Sequence, residues 1–162
     1  LATSRKVGDQ YYAMVSPVMI DAKNPLYSVN GVFNAIFIHG NVLGDAMFYG
    51  SGAGKLPTAS AVVADVVDCA KNKGRNIMMS WSEEKLNLLQ IDDVKSRFFV
   101  RVSGHAAERQ SEIEELFGKV EIVAVPSLSE EFAFITGEIT EQEYREKAEK
   151  LDGIQSRIRA RI

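Results

Sequence analysis

The fold of the second part of this chain is decided by residues 96–162, which read SRFFVRVSGHAAERQSEIEELFGKVEIVAVPSLSEEFAFITGEITEQEYREKAEKLDGIQSRIRARI. In residues 97–102 the apolar side chains of Phe98, Val100 and Val102 alternate with other side chains, a pattern that predicts a β-strand. Residues 106–117 carry apolar side chains at helical spacing, and the glycine at 118 ends that helix.

The same stretch continues with two further strands, a helix and a last strand. Residues 120–125 and 132–139 predict strands joined by a turn over 126–130. Thr140 and Glu143 have the spacing of a capping box that opens a helix, and Gly153 ends it. Residues 154–162 alternate again, so the order is βαββαβ, a ferredoxin-like split unit. That fold is used for many functions and therefore names none.

The first part of the chain, residues 1–72, mixes strands with one helix. Strands are predicted over 12–16, 31–39 and 45–49, the last two joined by a hairpin loop over 40–44. Residues 58–72 predict a helix that starts or is capped at Thr58 and has a wide apolar face, which indicates burial against more than one layer. Residues 73–95 are polar and poorly periodic, as a linker between domains is. The fold class is α+β, with domains at 1–72 and 96–162 around that linker.

Composition excludes several classes of protein. The 162 residues are 46% hydrophobic and 25% charged with a net charge of −3, which argues against disorder and against nucleic acid as a partner. No apolar run approaches the roughly 20 residues that span a bilayer, so no membrane association is expected. A single cysteine allows no internal disulfide, and a reducing, cytoplasmic location is expected. The chain starts with Leu1 and has no signal-peptide pattern, so we expect a piece of a longer protein.

The strongest local signal for chemistry is the glycine-rich turn at residues 50–54 that leads into the predicted helix. Its three glycines allow a close approach of backbone, and a helix N-terminus attracts anions. The spacing matches neither a P-loop nor a dinucleotide-binding fingerprint. The turn is therefore either a structural turn or a site where an anion or cofactor approaches the backbone.

The remaining reactive side chains are interpreted as structural. His39 and His105 lack metal-ligand spacing, and no metal site is predicted. Cys69 has no basic neighbour that would stabilise a thiolate, so a buried thiol is expected. Asp65 and Asp68 lie three residues apart on the polar side of the predicted helix, where a solvated face is favoured over acid–base catalysis.

Five arginines of the first and last strands of the βαββαβ unit are predicted to share one open face of the sheet. These arginines are Arg97, Arg101, Arg157, Arg159 and Arg161. Such a patch can bind phosphate or RNA, but Glu121 and Glu131 are expected on the same face. Ion pairing at a sheet or subunit contact is therefore favoured over nucleic-acid binding.

Several motifs of the first part resemble a known family. Residues 47–54 read MFYGSGAG and residues 57–65 read PTASAVVAD, after NPL at 24–26 and VNGVFN at 29–34. Together these motifs cover most of residues 5–72 and resemble homoserine dehydrogenase. The βαββαβ unit that follows resembles the C-terminal ACT domain of the longer bacterial members of that family.

The resemblance implies oxidoreduction between aspartate semialdehyde and homoserine with NAD or NADP, in the synthesis of threonine, methionine and isoleucine. It places the catalytic lysine, the substrate-binding acidic residues and the nucleotide-binding domain before Leu1. No catalytic residue is assigned to this chain, which is expected to be inactive and to bind no cofactor by itself. Gly54 corresponds to a glycine whose backbone touches the nicotinamide cofactor, and Gly52 and Ala53 are the weaker candidates for that contact.

The resemblance to ACT domains implies a regulatory function and a homo-oligomer, expected to be a dimer formed through this unit. The effector, threonine in the simplest case, is expected at Gly104, His105 and Ala106, between the first strand and the first helix. ACT domains commonly have an acidic residue and Pro-Gly at this turn, and the Pro-Gly is absent here. Weak binding or none is therefore expected, unless a shift in register lets Gly104 take the place of the missing glycine. The alternative function is a non-catalytic ACT-type module that binds an amino acid or mediates dimerisation.

Overall fold

A computed structural model describes residues 1–75 and 78–162 of the chain. Positions 76 and 77, inside the predicted linker, lie outside the described residues. Two compact units are present, one formed by Leu1–Asp21 with Lys85–Ile162 and the other by Ala22–Glu84.

Ten strands and three α-helices make up the described secondary structure. The strands are β1 Ala2–Val7, β2 Gln10–Val15, β3 Val18–Ile20, β4 Phe33–Gly40, β5 Gly44–Ser51, β6 Lys95–Ser103, β7 Glu121–Val123, β8 Glu131–Ile135, β9 Ile139–Thr140 and β10 Ile154–Arg161. The helices are α1 Lys55–Lys71, α2 Ala106–Phe117 and α3 Glu141–Ala148, and a short 3-10 helix covers Ile91–Asp93. The mixed α+β class predicted from the sequence is confirmed. The predicted strands at 120–125 and 132–139 are shorter in the structure, and the second is divided between β8 and β9.

The first unit is built on one sheet whose strand order is β3-β10-β6-β8-β7. The strands β10, β6, β8 and β7 are successively antiparallel, whereas β3 pairs with β10 in parallel. The first and last strands of the βαββαβ stretch, β6 and β10, are therefore central neighbours.

The core of this unit lies between the sheet and the two helices α2 and α3. Phe98, Val100 and Val102 of β6 are fully buried, as their alternation predicts. The other buried members are Ile113, Phe117, Phe132, Phe134, Tyr144 and Leu151. Each such apolar side chain contributes roughly 1.5–3 kcal/mol when fully buried.

The helix ends follow the local signals. Gly118 has a φ of 77° at the C-terminus of α2, a conformation that favours glycine. Thr140 accepts a hydrogen bond from the N–H of Glu143, and the Glu143 carboxylate accepts one from the N–H of Thr140. This reciprocal pair is the predicted capping box.

Strand β10 contains a register irregularity that the sequence pattern does not show. Ile154 lies opposite Val102 and Ser156 lies opposite Arg101, with a shift between the two pairs. A bulge of this kind inserts one residue, so the alternation of side chains is inverted after it.

The bulge overturns the prediction that five arginines share one face. Arg157 lies opposite Val100 and Arg159 opposite Phe98, so both are on the face that carries the core. Arg97 and Arg101 of β6 lie on the other face, because they alternate along the strand with the buried side chains of Phe98, Val100 and Val102. There Arg101 pairs with Glu131 at 2.7 Å, as the ion-pairing interpretation predicts.

The second unit contains the β4–β5 hairpin and α1. The two strands are antiparallel and end with Gly40 opposite Gly44, which is the predicted hairpin loop. No residue of α1 is buried, so the predicted burial of its apolar face is wrong for the chain as described. The described residues supply no layer that covers this face. Among the described residues, no helix is both long and apolar enough to cross a membrane.

The pairing of β1 with β2 and of β3 with β10 was not predicted. Strand β3 pairs with β10, and residues 1–21 belong to the same compact unit as residues 85–162. The limits of the two compact units therefore differ from the predicted boundaries at 72 and 95. The functional domain limits at 1–72, 73–95 and 96–162 stay a prediction.

Candidate functional site

The glycine-rich turn leads from β5 directly into α1. Gly54 is the N-cap residue of the helix with φ 122° and ψ 156°, and its carbonyl accepts a hydrogen bond from the N–H of Thr58 at 3.1 Å. The helix therefore begins at Lys55, and the predicted start at Thr58 is wrong. Pro57 lies in the first turn, where its missing N–H costs no hydrogen bond.

The glycines of the turn differ in how well each position would accept a side chain. A Cβ placed on Gly52 would lie 2.3 Å from Nδ2 of Asn34, so a side chain at this position would require the exposed Asn34 side chain to move. A Cβ on Gly54 would meet only Pro57 at 3.5 Å, an ordinary contact, but the positive φ disfavours any other residue. A Cβ on Gly50 would have open space around it. Ala53 is exposed between them. Gly54 thus presents bare backbone at a helix N-terminus that no side chain caps.

The other predicted side chains of this unit form no catalytic group. His39 is 77% exposed and its Nδ1 lies 2.5 Å from Oδ1 of Asp45, across the end of the hairpin. Cys69 is exposed, so the prediction of a buried thiol is wrong. Across the described ranges 1–75 and 78–162, no group of three His, Cys, Asp or Glu side chains is placed to hold a metal ion.

The predicted effector turn lies between β6 and α2. Gly104 has a φ of 104°, and its N–H donates to the carbonyl of Glu130 at 2.9 Å. His105 is the exposed N-cap of α2 and makes no side-chain capping bond. Ala106, the first residue of the helix, packs against the core.

Arg109 occupies the space beside this turn, and the sequence did not indicate it. Its guanidinium donates to the carbonyls of Ser103 and Asp152, each at 3.0 Å, and to the Glu112 carboxylate at 3.1 and 3.2 Å. A Cβ on Gly104 would lie 3.1 Å from Cδ of Arg109. The glycine therefore makes room for the arginine side chain of its own chain.

A second charged cluster lies on the core face of the sheet, where α3 begins. Glu141, the first residue of α3, has 6% of its side chain exposed. Its carboxylate pairs with Arg157 and, at 2.6 Å, with Arg159. The Arg157 guanidinium lies 4.6 Å from the ring centroid of Tyr144, and burial raises the pKa of that phenol. The bulge in β10, invisible in the sequence pattern, brings these groups together.

Comparisons with known proteins agree on the family. Residues 2–67 match the family described as homoserine dehydrogenase. A homoserine dehydrogenase from Lactococcus lactis is 42% identical over 94 residues, which cover 56% of this chain and 22% of the relative. One from Corynebacterium glutamicum is 54% identical over 61 residues, which cover 38% of this chain and 14% of the relative. The chain spans a quarter or less of the length of these relatives.

A solved structure resembles nearly the whole chain. The crystal structure of a homoserine dehydrogenase from Thiobacillus denitrificans matches with a TM-score of 0.75 at 24% identity, over 98% of this chain and 41% of that one. This likeness concerns the fold. The matching family and the relatives found by sequence are oxidoreductases of amino-acid biosynthesis. Within that class, all three comparisons find homoserine dehydrogenases as the proteins that this chain is similar to, in agreement with the resemblance seen in the sequence.

Proposed function

We propose that this chain is part of an enzyme that interconverts aspartate semialdehyde and homoserine with NAD or NADP in the cytoplasm. The observation that carries the proposal is the family match over residues 2–67, which includes the turn at 50–54 and its continuation into α1. No residue of this chain is assigned to the catalytic lysine or to the substrate-binding carboxylates of this family.

Gly54 is proposed to lie against the nicotinamide cofactor. It has no side chain, its φ is positive, and no side chain caps the first N–H groups of the helix that follows. These features suit a cofactor that approaches backbone closely. The cofactor supplies the hydride transfer, and the proposed contribution of Gly54 is contact through its backbone.

The test is the substitution Gly54→Val in the whole enzyme, with Gly50→Ala as the matched control in the same turn. Gly50 has space for a Cβ and no positive φ, so its variant is expected to keep normal kinetics. Gly54→Val is expected to raise the KM for the cofactor at least tenfold or to abolish activity, while the circular dichroism spectrum is retained. Unchanged kinetics of a folded Gly54→Val enzyme would reduce this turn to a structural element.

The 162-residue chain by itself is proposed to be inactive. Assayed with homoserine and NAD or NADP, it is expected to produce no reduced cofactor, because the family places its nucleotide-binding domain and catalytic lysine elsewhere. Cofactor reduction that is proportional to the concentration of the pure chain would contradict this proposal.

The βαββαβ part is proposed to be a ferredoxin-like, ACT-like module for regulation or dimerisation. The antiparallel order β10-β6-β8-β7 supports this assignment, because it places the first and last strands of the unit side by side. The short strand β7 ends the sheet and leaves backbone groups open for pairing with a second copy. Light scattering at tens of micromolar is expected to give the mass of a dimer. A monomeric mass there would contradict the dimerisation function.

Threonine is proposed not to bind at the turn formed by Gly104, His105 and Ala106. The Arg109 side chain lies against Gly104 and donates hydrogen bonds to the carbonyls of Ser103 and Asp152. An amino-acid ligand would have to displace it. Calorimetric titration of the chain with threonine is expected to show no saturable heat, and a dissociation constant below one millimolar would contradict this.

A further inference from the structure

Two arginines of β10 share a single carboxylate. Arg157 and Arg159 are two residues apart on one face of the strand, and both pair with Glu141. The guanidinium of Arg157 also lies over the rings of Phe98 and Tyr144, at 5.2 and 4.6 Å from their centroids. The rings therefore hold the Arg157 guanidinium in place before any ligand arrives, and Glu141 links it to the Arg159 guanidinium.

The cluster keeps an excess positive charge. Two guanidinium groups and one carboxylate leave a net charge of +1, in side chains that are 34%, 20% and 6% exposed. Two acidic side chains on or beside α3 have other partners: Asp92 pairs with Arg145, and Glu143 closes the capping box. A partly buried positive charge of this kind favours an anion.

Among the described residues, most of the donors in the cluster have no protein acceptor. A guanidinium has five N–H groups. In the part of the chain that the structure describes, Glu141 is the only acceptor that either arginine contacts. The remaining N–H groups are available to solvent or to a ligand.

A cavity adjoins the two arginines at the edge of the sheet. It measures about 180 Å³ and is lined by Pro17, Arg157, Ile158 and Arg159. Pro17 precedes β3, and β3 pairs with β10 only from Arg159 onward, so the edge of β10 before that point is open. A water molecule takes about 30 Å³ in the liquid, so the cavity has room for one small oxyanion.

We propose that Arg157 and Arg159 form a binding site for a small oxyanion, with a phosphate group as the best fit. Guanidinium groups bind phosphate through paired, charge-assisted hydrogen bonds, and two of them in fixed positions can contact different oxygens of one phosphate. Glu141 pairs with both arginines and competes with a ligand for their donors, and it does not line the cavity. The proposal is independent of the dehydrogenase activity, because it uses no residue of the glycine-rich turn.

The test is a calorimetric titration of the 162-residue chain with inorganic phosphate at constant ionic strength, with acetate as a parallel ligand. Saturable 1:1 binding of phosphate is expected, and acetate is expected to bind more weakly because it offers fewer oxygens. Two substitutions break the same ion pair with opposite consequences for the ligand. Arg159→Gln is expected to weaken phosphate binding at least tenfold, whereas Glu141→Gln is expected to strengthen it severalfold by removing the competing carboxylate.

Arg145→Gln is the control, because Arg145 pairs with Asp92 and does not line the cavity. It is expected to leave the affinity unchanged. If Arg159→Gln does not fold, Arg159→Lys and Glu141→Gln carry the same test, and the lysine variant is expected to bind more weakly. The proposal is overturned if phosphate shows no saturable binding, or if Arg159→Gln and Glu141→Gln change its affinity in the same direction. It is equally overturned if affinity is insensitive to all variants, which identifies an adventitious ion only.

Discussion

Replacing Glu141 with glutamine is expected to destabilise the sheet unit more than any other single change of charge on α3. The carboxylate is 6% exposed and is the shared partner of Arg157 and Arg159. Removing one partner from a fully buried ion pair costs about 3–5 kcal/mol, because the other charge stays buried without compensation. Here the two arginines are 34% and 20% exposed, so water compensates part of that loss. We therefore expect Glu141→Gln to lower the free energy of unfolding by about 2–3 kcal/mol.

The assay is urea unfolding at pH 7, followed by a probe that belongs to the sheet unit. Trp81 lies in the unit formed by Ala22–Glu84, so its fluorescence reports on the wrong part of the chain. Hydrogen exchange of the β6 amides reports on the sheet directly. Glu143→Gln is the matched control, because Glu143 lies in the same first helical turn but contacts the capping box and not the arginines. Glu143→Gln is expected to lower the free energy of unfolding by less than Glu141→Gln does.

A double-mutant cycle separates the ion pair from other effects of the substitution. If Glu141 and Arg159 interact as described, the double variant Glu141→Gln with Arg159→Gln loses less stability than the sum of the single variants. A difference of about 1 kcal/mol or more is expected. A loss below about 1 kcal/mol for Glu141→Gln alone, or strict additivity in the cycle, would refute the conclusion that this cluster stabilises the sheet.

Two further changes test the same unit. Burial raises the pKa of Tyr144 above its usual value of 10.0. As the pH rises, the unfolded chain therefore loses the phenol proton before the folded chain does. The free energy of unfolding is unaffected by this group below pH 10 and falls above it. Tyr144→Phe is expected to remove that part of the alkaline decline in urea unfolding between pH 9 and pH 11, and an identical decline in both proteins would contradict the assigned burial. Gly153→Ala is expected to cost more stability than Gly118→Ala, because both glycines have a φ of 77° but only at Gly153 does a Cβ meet another atom, Oγ of Ser103 at 2.7 Å. The positive φ alone costs about 1–2 kcal/mol at each position, and equal losses would show that the space around Gly153 is not restrictive.

Local signals in the sequence were sufficient for much of the sheet unit. The alternation of Phe98, Val100 and Val102 identifies β6 and its buried face, because neighbouring side chains of a strand point to opposite sides. The capping box at Thr140 and the glycine at 118 mark helix ends through hydrogen bonds and backbone angles that involve only neighbouring residues. The glycine-rich turn was recognised in the same way, and its motif led to the family that the comparisons indicate.

Other features depended on contacts between distant parts of the chain. Strand β3 belongs to the sheet through β10, although about 140 residues of sequence separate them, and no local pattern carries that information. The apolar face of α1 is a second example. Its pattern predicts burial, but the pattern does not say which residues would cover the face, and no residue of α1 is buried.

The charged groups show most clearly why the tertiary structure was needed. One extra residue in β10 inverts the alternation, so Arg157 and Arg159 lie beside Glu141 on the core face and not with Arg101 on the opposite face. A bulge is a property of the pairing between two strands, since the inserted residue is defined only relative to the partner strand. The sequence determined by itself most of the strands and helices of the stretch 96–162. Only the pairing of those segments decided which charges meet, because a shift of one residue moves every later side chain of a strand to the other face.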